Sequence, residues 1–139
     1  MTDSLTPERR SWNMSRIKGR NTIPEKLVRS LLHRLGYRFS LHRRDLPGKP
    51  DIVMPRHQTV VFVHGCFWHM HKGCKDASIP KTRLLWWTEK LADNAARDKR
   101  HRNALRRLGW RVLTVWECET GKPEKLGRRL KRLVRPQVE

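Results

Sequence analysis

The chain has 139 residues, and its 32 Lys and Arg against 13 Asp and Glu give a formal net charge of +19 at pH 7. At this length, with 37% hydrophobic residues, we expect one domain with its own core, which excludes wholesale disorder. Such a charge usually meets a polyanion, either nucleic acid or an anionic membrane surface. No apolar run approaches the roughly 20 residues that cross a bilayer, and no signal peptide is visible, so we expect a cytoplasmic protein that binds nucleic acid and no membrane.

The first half of the chain predicts an arm, a helix and two strands. Residues 1–21 are polar and basic and predict an N-terminal arm, followed by a single domain over residues 22–139. Tyr37 to Leu41 alternates like an edge strand, and Asp51 to Met54 follows a Pro-Gly turn as a second strand. A helix from Thr22, stopped at Gly36, is predicted by apolar residues that share one face, namely Ile23, Leu27, Val28, Leu31, Leu32 and Leu35.

The second half alternates strands with helices. Thr59 to Val63 is a β-branched apolar run, typical of a strand covered on both faces. A long helix is predicted from about Arg83 to Leu108, a strand from Arg111 to Trp116, and a basic helix from Pro123 to Val134. This order of elements predicts an α/β fold in which helices flank a small mixed sheet.

All three cysteines and one histidine could converge on a metal ion. Cys66, His71 and Cys74 have C-x4-H-x2-C spacing, and Cys118 comes directly after the last predicted strand. Zinc prefers four such ligands, and a site closed by four protein ligands has no open position for substrate, so we predict a structural site. Two alternatives stay open: the cysteines are small buried apolar residues, or His69 replaces His71 as the fourth ligand.

Adjacent aromatic residues occupy the loop that carries these ligands. Phe67 and Trp68 are poorly placed to be buried together, so we expect at least one to be exposed. In a protein whose Lys and Arg hold phosphates, such residues can wedge between bases. The alternative is ordinary core packing, which we favour for Trp86, Trp110 and Trp116.

Acidic residues are scarce, so those near the strands stand out. Asp51 opens a strand, and Glu25 lies in the first turn of the first helix, where a carboxylate also complements the helix dipole. Metal-assisted phosphodiester hydrolysis needs an oxygen-ligated cation, usually Mg²⁺, which Asp51 and the backbone carbonyl of Val63 could bind. His64 and His69 are candidates to move a proton near neutral pH. Alternatively, the two acids cap a turn and a helix, and the histidines support the zinc ligands.

Five motifs, taken together, carry a family resemblance over roughly residues 9–134. They are NMSRIKGRNT at 13–22, PGKPD at 47–51, HGCFWH at 64–69, GWRV at 109–112 and WEC at 116–118. In this order they resemble the very short patch repair (Vsr) DNA mismatch endonucleases. The resemblance implies a restriction-endonuclease-like core that nicks one DNA strand on the 5′ side of the thymine in a T:G mismatch left by deamination of 5-methylcytosine.

The resemblance also implies roles for residues in the nuclease centre. Asp51 would bind Mg²⁺ with the carbonyl of Val63, and His69 would be the leading general base, supported by Glu25 and His64. The structural zinc ligands would be Cys66, His71, Cys74 and Cys118. The strand at residues 61–64 lacks the Glu-x-Lys element usual in restriction-like nucleases, which fits this family.

The implied DNA contacts lie on the arm, the aromatic loop and the long helix. Met14 would enter the minor groove. The aromatic residues Phe67, Trp68 and Trp87 would wedge between bases from the major groove, and Lys90 and Asn94 would face the mismatched pair. Which of Trp86 and Trp87 intercalates depends on where a gap is placed in the loop between His71 and Cys74 when the chain is aligned with the family. We expect a monomer in the bacterial cytoplasm at the nucleoid, with partners in the mismatch-repair or cytosine methyltransferase systems.

Two competing functions stay open at this point. One is a zinc-stabilised DNA-binding protein without catalysis, which the basic composition and the aromatic residues would also suit. The other is a nicking nuclease of different specificity.

Overall fold

The computed structural model describes residues 22–74 and 79–134. Predictions for the arm at residues 1–21, including Met14, and for residues 75–78 and 135–139 lie outside the described residues. The helices are α1 (Ile23–Arg34), α2 (Leu84–Arg107) and α3 (Pro123–Leu133). The strands are β1 (Ser40–Leu41), β2 (Ile52–Met54), β3 (Thr59–His64) and β4 (Arg111–Trp116). Across the described ranges, no helix combines the length and the apolarity needed to cross a membrane.

The four strands form one mixed sheet in the order β1-β2-β3-β4. The β1–β2 and β2–β3 pairs are antiparallel, whereas β3 and β4 run parallel, in register from Thr59 opposite Arg111 to His64 opposite Trp116. A parallel neighbour requires a crossover, and α2 lies within that connection. The predicted small mixed sheet flanked by helices is confirmed.

Two clusters of buried apolar side chains lie on opposite faces of this sheet. The larger joins α1 and α3 to the sheet and includes Val28, Ile52 and Leu126. The smaller includes Val53 and Leu105, and so joins the sheet to α2. Because neighbours along a strand point to opposite faces, β2 contributes to both clusters, and it is fully buried as a result.

Two details of the sequence prediction are wrong. The edge strand spans only Ser40–Leu41, because Tyr37 packs against the larger cluster and its hydroxyl donates a 3.1 Å hydrogen bond to the carbonyl of Val134. Ile23, predicted on the buried face of α1, is 84% exposed, because the first turn of that helix lines a cleft.

Candidate functional site

A cleft of about 1650 Å³ opens where the starts of α1 and β2 meet the end of β3 and the middle of α2. Its walls include all the side chains predicted to take part in catalysis, which are Glu25, Asp51, His64 and His69. Among the described residues, three clusters of Cys, His, Asp or Glu hold their ligand atoms within 4.8 Å of one another. Two of these clusters line the cleft.

Asp51 directly precedes β2 and reaches across to β3. Its Oδ2 accepts a 2.7 Å hydrogen bond from the backbone N–H of Val63. The N–H and C=O of one residue in an extended strand point to the same side, so the carbonyl of Val63 faces the edge at which Asp51 lies. Burial raises the pKa of Asp51 to about 6, the bond from Val63 opposes the shift, and the charge of Glu25 adds to it. A cation at this edge would relieve the cost of ionising the buried carboxyl.

Glu25 is buried beside Asp51 and is held by two basic side chains. Its Oε2 lies 3.0 Å from Nη2 of Arg29 and 3.0 Å from Nε2 of His42. His42 has a φ of +48°, in the left-handed region that costs a non-glycine residue about 1 kcal/mol. In that conformation its N–H donates to the carbonyl of Asp51 at 3.2 Å. Together, Glu25, His42 and Asp51 form the first cluster in the cleft.

His69 belongs to the second cluster, with His64 and Asp98. Its Nδ1 lies 2.5 Å from Oδ2 of Asp98, and its ring stacks on that of His64 with centroids 3.8 Å apart. Burial opposes the ionisation of Asp98, but the hydrogen bond and the positive charge of His69 outweigh it and lower the pKa of Asp98. If Nδ1 donates to Asp98, Nε2 is free to accept a proton.

His64 differs from His69 because it is buried. Burial, together with the charge of His69, lowers the pKa of His64 to about 3, so its ring is neutral at physiological pH. Its Nδ1 has no hydrogen-bond partner among the described residues. Of the two rings, only that of His69 pairs with a carboxylate, so His69 is the better placed to act as a base.

The loop that delivers Asp51 rests closely on α2. Gly48 has a φ of +74°, and a Cβ atom there would lie 2.8 Å from Cβ of His101. Glycine therefore fits both the backbone conformation and the approach to the helix. The contact holds this loop against the helix that carries Asp98.

The third cluster brings together all the predicted zinc ligands, Cys66, His71, Cys74 and Cys118. Nδ1 of His71 lies 3.6 Å from Sγ of Cys66 and 3.4 Å from Sγ of Cys118. Burial raises the pKa of the Cys66 thiol to about 12, a cost that a bound cation would remove. His69 lies in the other cluster, so the geometry favours His71 over His69 as the fourth ligand.

The aromatic residues pack on one another beside this cluster. Rings of Phe67, Trp68 and Trp87 have centroids 5.2 to 5.9 Å apart. Phe67 and Trp68 are both half-buried, so the expectation that at least one of them is exposed is wrong. Trp87 is 1% exposed, and a wedge role for it would require the group to open. Trp86, half-buried, lies under the guanidinium of Arg83.

The remaining predicted DNA contacts on α2 differ in exposure. Lys90 is exposed, whereas Asn94 is buried and its Nδ2 donates a 3.2 Å hydrogen bond to the carbonyl of Trp68. Arg97 donates to Oδ1 of Asn94 at 3.2 Å. In this conformation Asn94 therefore fixes the aromatic loop to α2, and its contact with a base stays a prediction.

Two residues of the clusters in the cleft are not among those the sequence predicts, His42 and Asp98. His42 follows a short edge strand, and Asp98 lies one turn beyond Asn94 among basic residues. Helical spacing from Asn94 is the only sequence signal that could have indicated Asp98. His42 offers none, because its role depends on a left-handed backbone conformation.

Comparison with known proteins identifies the family of this chain. The model of the DNA mismatch endonuclease Vsr family matches residues 2–76. The chain is 54% identical over 98% of its length to the Type II nicking enzyme V.XorIIP of Xanthomonas oryzae pv. oryzae, covering 99% of that protein. It is 44% identical over 91% of its length to the DNA mismatch endonuclease Vsr of Escherichia coli, covering 80% of it. A third relative, the Type II nicking enzyme V.NmeAIP of Neisseria meningitidis, is 42% identical over 97% of the chain, covering 96% of that relative.

These relatives extend over nearly the whole chain, well beyond the segment that the family model matches. Two of them are named Type II nicking enzymes, and one is named a DNA mismatch endonuclease. The chain therefore belongs to the family of DNA mismatch endonucleases named Vsr.

Proposed function

We propose that this DNA mismatch endonuclease nicks one strand on the 5′ side of the thymine in a T:G mismatch, in a reaction that depends on Mg²⁺. Membership of the Vsr family supports the nuclease activity and the mismatch substrate. The observation that carries the mechanism is the cleft itself. Within it, a carboxylate next to a strand carbonyl and a histidine paired with an aspartate lie close together.

The Mg²⁺ site would be formed by Asp51 and the backbone carbonyl of Val63. Both are oxygen donors, the type that Mg²⁺ prefers, and they come from adjacent strands. Glu25, within reach of Asp51, adds a second carboxylate to this edge of the cleft. When bound, the cation would neutralise charge on the scissile phosphate and favour ionisation of a water. The protein would contribute by holding the two oxygen ligands in place, since Asp51 and Val63 lie at the ends of paired strands.

His69 would remove the proton from the attacking water. Asp98 fixes the imidazole through Nδ1 and favours the charged ring that results, which leaves Nε2 as the atom that takes the proton. The low pKa of His64 makes that residue a poor proton acceptor. We assign to His64 the role of a neutral ring that stacks on His69 and limits its rotation.

Basic side chains on both walls of the cleft would hold the DNA backbone. Arg44 and Lys49 lie on the side of the loop that delivers Asp51, and Arg97 and Arg102 lie on α2. Contacts of this kind position a duplex without reading its sequence. Recognition of the mismatch would fall to the aromatic loop and to α2, since a mispaired step costs less energy to unstack than a paired step.

The Cys3His cluster would hold a structural zinc. It ties the loop after β3 to the short helical turn after β4, and β3 and β4 are parallel neighbours in the sheet. Four protein ligands leave no open position, so the zinc would stabilise the fold and take no part in the reaction. We further propose that the described core is restriction-endonuclease-like and that the protein acts as a monomer on nucleoid DNA in the cytoplasm, beside the mismatch-repair or methyltransferase systems.

A strand-resolved cleavage assay tests the proposal. Duplexes carry T:G or T:A at one position, each strand has its own label, and Mg²⁺ is present or absent. We expect a single nick in the T strand of the T:G duplex and only with Mg²⁺. Binding of T:G without scission would favour the DNA-binding protein without catalysis, and equal nicking of T:A would favour a nuclease of other specificity.

A further inference from the structure

The cluster of His64, His69 and Asp98 has ligand chemistry that the reaction does not need. Two imidazoles and one carboxylate lie within 4.8 Å of one another at the wall of the cleft. Mg²⁺ prefers oxygen ligands, whereas imidazole suits Zn²⁺, Co²⁺ and Ni²⁺. We infer that His64, His69 and Asp98 form an inhibitory site for a borderline transition-metal cation such as Zn²⁺.

The site differs from the other two clusters in its donors. The Cys3His cluster offers three thiols, and the Glu25 cluster offers two carboxylates and one imidazole. Of the three clusters, only that of His64, His69 and Asp98 combines two imidazoles with one carboxylate, a set that leaves one or more positions of a zinc ion open. We therefore expect it to bind zinc more weakly than the cysteine cluster, and reversibly.

The geometry permits binding after a small side-chain adjustment. Ligands of a tetrahedral zinc with bonds near 2.0 Å are about 3.3 Å apart. Nδ1 of His69 and Oδ2 of Asp98 are only 2.5 Å apart, so this hydrogen-bonded pair must open slightly as the metal replaces its proton. Nδ1 of His64 has no hydrogen-bond partner among the described residues, so no existing contact of that atom has to be broken.

Inhibition would follow from competition for the same atoms, and this step rests on the proposed function. A metal bound to His69 and Asp98 displaces the proton between them to solvent and breaks the pair that orients the general base. His69 then cannot take a proton from water in the proposed geometry. Arg97 and Arg102 line the same cleft, so the repulsion between charges opposes the metal and limits its affinity.

Cobalt titration of the full-length protein, with zinc already in its cysteine cluster, tests the site without relying on cleavage. We expect ligand-field absorption in the visible without the thiolate-to-cobalt charge-transfer band. His69→Ala and Asp98→Asn should each weaken this binding by at least about tenfold. His33→Ala, an exposed histidine on α1, and His42→Gln, in the neighbouring cluster, should leave it unchanged.

Several outcomes would overturn the inference. One is that the wild-type protein shows no cobalt ligand-field bands. Another is that the bands persist in both His69→Ala and Asp98→Asn, and a third is that they are lost in His42→Gln. Retained zinc and an unchanged circular dichroism spectrum show that each variant is folded, and Asp98→Asn is the milder change if His69→Ala fails this check.

A second arm measures nicking of the T:G duplex in excess Mg²⁺ with increasing Zn²⁺. We expect inhibition that a zinc-selective chelator reverses, and binding without inhibition would contradict the inhibitory role. If Mg²⁺ alone supports no nicking, the proposed function fails, while the cobalt titration still decides the site.

Discussion

Nδ1 of His69 lies 2.5 Å from Oδ2 of Asp98, a residue 29 positions away on α2. The pair joins the loop after β3 to the helix that crosses over to β4. An imidazole held in this way keeps one nitrogen fixed and the other free for a proton. The orientation of the proposed base therefore depends on the position of α2.

Removal of this contact is expected to slow the reaction. Asp98→Ala should lower kcat for nicking of the T:G duplex by about 10–100-fold, with little change in KM, because the base loses its orientation while the DNA contacts remain. Single-turnover and steady-state assays measure the two constants. Asp93→Ala, an exposed acid on the same helix, is the matched control. Equal kcat in the two variants would remove the role of Asp98.

Asp51→Asn should abolish nicking and yet stabilise the protein in buffer without Mg²⁺. The folded-state pKa, about 6, lies above the unfolded value near 3.9. Stability is therefore lost as the pH rises from about 4 to about 6, and the penalty persists above that range. We expect Asn to raise the free energy of unfolding at pH 8 by on the order of 1–3 kcal/mol, and by much less at pH 4.

Urea unfolding at the two pH values measures this difference. Asp45→Asn, an exposed aspartate that pairs with Arg43, is the control and should not stabilise. A variant at Asp51 that still nicks would contradict the assignment of this carboxyl to the metal. A variant no more stable than wild type at pH 8 would contradict the raised pKa of Asp51.

Cys118→Ala is expected to release zinc and weaken the fold. Cys118 is the exposed member of the Cys3His cluster and links it to the end of β4. Because the binding energy of a structural metal is also folding energy, we expect Tm to fall by roughly 5–10 °C. Elemental analysis and thermal melting check both effects, with Lys122→Ala as the exposed control. Full zinc content in Cys118→Ala would refute this ligand.

The aromatic residues should separate into core and DNA contacts. Trp87→Ala removes a side chain that is 1% exposed and should cost about 3–5 kcal/mol of stability. Trp68→Ala, at a half-buried position, should cost less stability but about 1–3 kcal/mol of affinity for the T:G duplex. Urea unfolding and fluorescence anisotropy measure the two quantities. A Trp68 variant with wild-type affinity would argue against a wedge at that position.

Local patterns in the sequence predict most of the helices and strands, but they do not predict which of their residues are buried. The strand from Arg111 to Trp116 has the predicted bounds, since β-branched residues between a glycine and a cysteine leave little choice. Ile23 follows the helical period of α1 and is nevertheless exposed, because burial depends on what packs against the turn. Tyr37 alternates like a strand residue but packs into the core instead.

The sequence by itself determined which metal-binding, acidic and basic groups this protein has. The cysteine and histidine spacing, the acid after the Pro-Gly turn and the charge of +19 are all properties of chemical type and short-range order. Only the tertiary structure decided which side chains contact these groups. His42 reaches Glu25 through a left-handed turn, and Asp98 reaches His69 across a crossover helix. Such contacts depend on how helices and strands pack, and short-range sequence patterns do not encode that packing.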